Sequence, residues 1–127
     1  LVKEIVNRKE PQEDERLAGL SQPVRMAIRY MERHYYEKQL GVNQLAEQVC
    51  LSPSRFRTVF KQETGVSPSQ YLGAVRLREA RRLLEKTCMK IDDIADATGY
   101  LSGSYFRKII TQKSGLTPKE FRERGTK

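Results

Sequence analysis

The sequence predicts an all-α fold of seven helices, arranged as two helix-turn-helix subdomains joined by a long connector helix. Three observations carry that expectation. Residues 67–86, SPSQYLGAVRLREARRLLEK, have the pattern of one uninterrupted helix. Residues 42–71 align with residues 91–121 once one extra residue near Tyr100 is allowed in the second copy. Each copy spells helix, short turn, helix, with capping and stop residues at matching places.

The connector is marked at its start by Ser67 and Gln70, a capping box, with Pro68 at the first helical position, where a missing N–H costs nothing. Its apolar residues fall in two groups at about 100° per residue. Tyr71, Ala74 and Val75 share one side, and Leu77, Ala80, Leu83 and Leu84 another. A helix serving one core needs one stripe; two stripes suit a helix whose N-terminal part packs on a bundle before it and whose C-terminal part packs on a bundle after it. The repeat matches support a duplicated module: Leu45-Ala46 with Ile94-Ala95, Phe56-Arg57 with Phe106-Arg107, Gly65 with Gly115, Pro68 with Pro118 and Tyr71 with Phe121. Two copies are too few for a solenoid.

In chain order, residues 1–20 are expected to be a linker or the remnant of a missing N-terminal domain, disordered around 9–18. Residues 21–127 form the folded domain, with a first unit at about 21–66, the connector at about 67–87 and a second unit at about 88–125. The first helix is expected over 23–36, since Val24, Ile28, Met31 and Tyr35 recur at helical spacing; His34 in it is a partly exposed packing residue. A short helix over 42–49, a turn at Cys50-Leu51 and a helix over 53–64 follow, with Ser52 as cap and Gly65 as left-handed stop. Phe56, Val59 and Phe60 face inward, which leaves Ser54, Arg55, Arg57, Thr58 and Lys61 outward. Arg76 in the connector sits among Leu72, Ala80 and Leu83 and is expected to pair with an acid or a helix C-terminus.

The second unit repeats this grammar: a helix over 91–98, a turn at Gly99-Tyr100, Ser102 capping a helix over 103–113, and Gly115 ending it. Phe106, Ile109 and Ile110 face inward and Ser104, Tyr105, Arg107, Lys108 and Thr111 outward. Thr117, Pro118 and Glu120 cap a last short helix carrying Phe121.

Composition narrows the function. The 127 residues hold 24 Lys and Arg against 16 Asp and Glu. Residues 1–22 are slightly acidic, so residues 23–127 carry a formal charge of +9, which favours a polyanionic partner. No apolar run has the length of a membrane span and no signal peptide is evident, which points to a cytoplasmic chain. Cys50 and Cys88 lie in no ligand spacing and are expected to be reduced and structural. With one histidine and neither a phosphate-binding Gly-rich loop nor a nucleophile elbow, neither an enzyme nor any cofactor or metal is expected.

The two outward faces fit major-groove recognition, which needs hydrogen-bonding residues near a helix start and cations beside them. Arg57 and Lys108 can donate to guanine O6 and N7, the Ser and Thr hydroxyls suit several bases, and Tyr105 suits a thymine methyl or a phosphate. A connector of about 18 residues spans roughly 27 Å, against about 34 Å between successive major grooves on one face of B-DNA. One chain can then present two unlike faces to adjacent groove segments of an asymmetric site. The alternatives are an architectural, sequence-independent DNA binder and a helical protein-interaction module.

The segments LAEQVCLSPSRFRTVFKQETGVSPSQYL, RLREARRLL, IDDIADATGY and GLTPKEFR, in this order and spacing, resemble the DNA-binding domain of the AraC/XylS family of bacterial transcription regulators. The resemblance covers about residues 23–124. It implies seven helices, transcriptional activation through contacts with RNA polymerase, double-stranded DNA as partner, and an effector or dimerisation domain N-terminal to this one. Carried over by position, the base-reading candidates are Ser54, Arg57, Thr58, Ser104, Tyr105 and Lys108, and the candidates for the DNA backbone are Ser52, Arg55, Lys61, Ser102, Arg107 and Thr111. The chain departs from the family at Ile110-Thr111, where Phe60-Lys61 keeps the usual pair, and at Cys50, where Gly99 keeps the usual glycine.

Overall fold

Capping chemistry sets most of the helix boundaries. In a computed structural model, residues 16–125 are described, and they hold seven helices and no strand. These are α1 (Gln22–His34), α2 (Val42–Gln48), α3 (Pro53–Thr64), α4 (Pro68–Lys86), α5 (Ile91–Ala97), α6 (Gly103–Ser114) and α7 (Pro118–Gly125). Ser52 Oγ accepts the Arg55 N–H at 3.1 Å and Ser102 Oγ the Tyr105 N–H at 3.1 Å, so α3 and α6 both start on a serine cap. The Ser67–Gln70 capping box closes with bonds of 3.0 and 3.1 Å, and Thr117–Glu120 repeats it at 2.9 and 3.2 Å. Hydrogen bonding from the Thr117 backbone N–H first, and from its side chain next, holds the Glu120 carboxyl below the usual glutamate range. Gly65 and Gly115 terminate α3 and α6 in the left-handed region at φ 84° and 77°.

Two hydrophobic cores result. Val24, Ile28, Met31, Leu45, Phe56 and Phe60 belong to the first, and Ile94, Ala95, Tyr100, Phe106 and Ile110 to the second. The 19-residue connector α4 gives Leu72 to the first core, with Tyr71 packed against it, and Leu77, Ala80 and Leu84 to the second. The two-stripe reading therefore holds, with one correction: Ala74 is exposed, and Leu72 takes the buried place beside Tyr71. The last helix is fastened to the connector, because Arg122 Nε donates to the Leu84 carbonyl at 3.0 Å and Arg81 lies over the Phe121 ring at 5.6 Å.

The remaining differences from expectation have local causes. α1 stops at His34, because the carbonyls of Tyr35 and Glu37 accept the Arg76 guanidinium at 2.8 Å each in place of a further helical turn. Arg76 thus meets the helix C-terminus it was expected to find. α2 and α5 each end one residue early, since Cys50 and Gly99 turn left-handed at φ 60° and 88°. Of the stretch expected to be disordered, residues 9–15 lie outside the described residues, but Leu17 is only 2% exposed. It packs into the first core, and Arg16 forms a two-bond ion pair with Glu32, so the fold begins before residue 18. Cys50 and Cys88 are both free and both exposed, so neither helps fill a core. His34 stacks on Tyr30 at 4.1 Å and bonds Glu37 at 2.6 Å, as suits a half-exposed packing residue.

Tyr100 gives the second core an alkaline limit. Burial pushes its phenol up to about 12, against about 10 in an unfolded chain, and its hydroxyl has no hydrogen-bond partner among the described residues. A raised folded value means that the folded chain holds the proton more tightly, so this contribution is intact below about pH 10 and fades as pH rises toward 12. Denaturant titrations should show stability falling across that window, and a Tyr100→Phe variant should fall less steeply while matching the parent at pH 7. Tyr35 and Tyr71, raised chiefly by burial as well, contribute to the decline in the same direction.

Candidate nucleic-acid interface

All twelve residues expected to face DNA are exposed, six on or beside each of α3 and α6. The cause is local: Phe56 and Phe60 on α3, and Phe106 and Ile110 on α6, are fully buried, and helical spacing turns the intervening residues outward. Ser54, Arg57 and Thr58 share the first face with Arg55 and Lys61; Ser104, Tyr105 and Lys108 share the second with Arg107 and Thr111. Ser52 and Ser102 stand at the two helix starts as caps, each keeping its own O–H free to donate.

The two faces differ chemically. Arg57 and Lys61 line a shallow groove with Thr58 and Gln62, and neither cation forms an ion pair among the described residues. Gln62, which lines the same groove, was not among the sequence candidates. Thr58 donates its hydroxyl back to the Ser54 carbonyl at 3.1 Å, which fixes its rotamer and leaves its oxygen able to accept a hydrogen bond. On the second face Lys108 is likewise without an ion pair among the described residues, and Tyr105 is half exposed, its ring 6.2 Å from Tyr100. Arg107 is already engaged: its Nη1 lies 3.0 Å from Asp92 Oδ1. Asp92, on the preceding helix, was not among the sequence candidates. The signal was present, since the first unit has a neutral Asn43 at the equivalent place.

The structure also locates the extra residue of the second copy. Leu51 N–H donates to the Ala46 carbonyl and Tyr100 N–H to the Ala95 carbonyl, both at 3.0 Å, so these residues are equivalent and the insertion is Leu101. It is 76% exposed in the turn before α6.

The units are held in a fixed relation by three contacts. Arg76, half-buried, reaches from the connector to the end of α1. Gly99 packs so closely beside it that a Cβ there would overlap the Tyr35 carbonyl oxygen and lie 2.7 Å from Arg76 Nε. Lys38, in the loop after α1, forms an ion pair with Asp96 of α5. Burial draws the Arg76 guanidinium below the usual arginine range, opposed by the nearby Tyr100 and Tyr105. An arginine remains cationic nonetheless.

Among the described residues, no group of three or more His, Cys, Asp or Glu side chains is placed to hold a metal ion, and no helix is long and apolar enough to cross a membrane. Comparison with known proteins agrees with the geometry. A family profile described as "Helix-turn-helix domain" matches residues 45–124. The arabinose operon regulatory protein of Escherichia coli K12 is 32% identical over 99 residues, covering 78% of this chain and 34% of that protein. The chain spans about a third of the length of the curated relatives it matches. The C-terminal domain of AraT, a response regulator from Geobacillus stearothermophilus, superposes with a TM-score of 0.81 at 31% identity, covering 84% of this chain and 88% of that one. The DNA-binding domain of AdpA, a global transcriptional factor solved in complex with a target DNA, gives 0.77 at 29% identity, covering 82% and 93%. With seven helices, a duplicated helix-turn-helix and a shared connector, the chain belongs to the AraC-type helix-turn-helix family.

Proposed function

We infer that this chain is the sequence-specific DNA-binding part of a bacterial transcription regulator, seating α3 and α6 in adjacent major-groove segments of one asymmetric site. One observation carries the reading. Two exposed helices, each serine-capped, basic and glycine-terminated, stand at equivalent places of a duplicated module, in a fold that AdpA presents to DNA. The connector, at 19 residues, spans about 28 Å, which suits neighbouring groove segments about 34 Å apart. Arg57 and Lys108 are the principal base readers, joined by Ser54, Thr58, Ser104 and Tyr105. Ser52, Arg55, Lys61, Ser102 and Thr111 hold phosphates, with Arg107 once freed from Asp92.

Family resemblance supports activation through contact with RNA polymerase, in the cytoplasm, without catalysis and without a cofactor. Because the chain spans about a third of its relatives, effector response and dimerisation belong in this reading to a domain outside it.

Selection from a random duplex library should return two unlike blocks about one helical turn apart. Arg57→Ala and Lys108→Ala should each cost about 1–3 kcal/mol on the winning duplex and relax the preference at one base position. Salt-sensitive binding with no enriched sequence would replace this reading with an architectural one. Absence of binding at moderate salt would replace it with a protein-interaction module.

A further inference from the structure

The duplicated units differ in how their matching arginines are engaged. Arg57 and Arg107 occupy the same position in the two copies, fifty residues apart. Arg57 has no ion pair among the described residues, whereas Arg107 is paired with Asp92 at 3.0 Å. The pairing is built into the backbone. Residue 103, where the first unit has Pro53, is glycine, and a Cβ there would overlap Asp92 Oδ1 and stand 3.0 Å from Arg107 Nη1. The carboxylate therefore lies against the first residue of α6, at the helix end that approaches base edges, and nearly three-quarters of its side chain is open to solvent.

We propose that Asp92 is a specificity-determining residue of the second unit: its carboxylate holds Arg107 away from phosphates until a matching base takes over the carboxylate. The inference rests on the DNA-binding reading above. On an arbitrary sequence Asp92 keeps Arg107 occupied and sets a negative charge facing the phosphates, so the second face adds little non-specific affinity. On the right sequence the carboxylate accepts from an exocyclic amino group, cytosine N4 being the best match, and Arg107 is released to a phosphate. The first unit, with Asn43 and Pro53 in the corresponding places, has no such brake and supplies the general attraction.

The geometry supplies two independent ways to remove the brake. Asp92→Asn keeps the shape and removes the charge. Gly103→Ala keeps the charge but pushes the carboxylate, the far end of a flexible side chain, out of its seat. Both should bind a scrambled duplex about five- to tenfold more tightly at 0.1 M salt, with the slope of log K against log salt steeper by about 0.9, the effect of one further phosphate neutralised. Neither should gain comparably on the selected duplex, so discrimination falls by the same factor. Arg107→Ala should leave the parent chain's scrambled-duplex slope unchanged and cancel the gain when combined with Asp92→Asn. Equal gains on both duplexes, or no gain on the scrambled one, would overturn the proposal. A parent chain that fails to discriminate the two duplexes at all would instead overturn the DNA-binding reading on which it stands.

Discussion

An Ala80→Pro variant should lose about 3 kcal/mol or more of stability and with it high-affinity binding to any two-block site. Ala80 is fully buried in the second core, in the middle of the connector. Proline there removes the hydrogen bond to the carbonyl of Arg76, and its ring collides with that same carbonyl. The kink would therefore centre on the residue whose guanidinium holds the end of α1. Denaturant unfolding should lose cooperativity as the two cores separate, and affinity for a two-block duplex should approach that for a single block. Retention of both cooperative unfolding and high affinity would show that the connector is not the spacer.

Gly99→Ala should be comparably damaging, at about 3–5 kcal/mol, a size that single substitutions reach only through a named steric or electrostatic fault. Two faults coincide here. A left-handed φ of 88° is unfavourable for any residue with a Cβ, by about 1–2 kcal/mol. The added Cβ would also overlap the Tyr35 carbonyl oxygen, the acceptor of the Arg76 bond. The first unit supplies the control. Cys50 occupies the equivalent turn at φ 60° and is exposed, so it bears the conformational penalty alone. Cys50→Gly should stabilise by about 1 kcal/mol or less, because glycine's unfolded-state entropy offsets part of the relief. Thermal unfolding of the two variants, with binding to duplexes whose blocks are moved by one or two base pairs, separates loss of stability from loss of spacing. If Gly99→Ala unfolds like the parent and keeps the same spacing preference, the contact between the turn and α1 does not orient the units.

Most of the fold was legible because its signals are local. Ser52, Ser67, Ser102 and Thr117 act within three residues of themselves, Gly65 and Gly115 stop helices by their own φ, and helical spacing sorts Phe56 and Phe106 inward from Arg57 and Arg107. Periodicity misled at Ala74, since a small residue on a stripe boundary is as comfortable in water as in a core. Composition misled at Leu17, whose acidic and polar neighbours hide one apolar residue seated in the first core. The ends of α1, α2 and α5 were overrun because left-handed residues and a distant guanidinium, rather than propensity, end those helices.

By itself, then, the sequence determined the all-α class, the duplicated units, the connector and the twelve side chains turned outward, all consequences of interactions within a few residues. Only the tertiary structure decided how those units are fixed and which of their cations are paired. Arg76 meets carbonyls 39 and 41 residues away, and Gly99 meets the same chain end. Asp92 claims Arg107 across a turn that holds the one inserted residue. Hydrogen bonds and charges act over a few ångströms of space, whatever the separation along the chain, and so two arginines that look identical in the sequence differ in what their guanidinium groups are paired with.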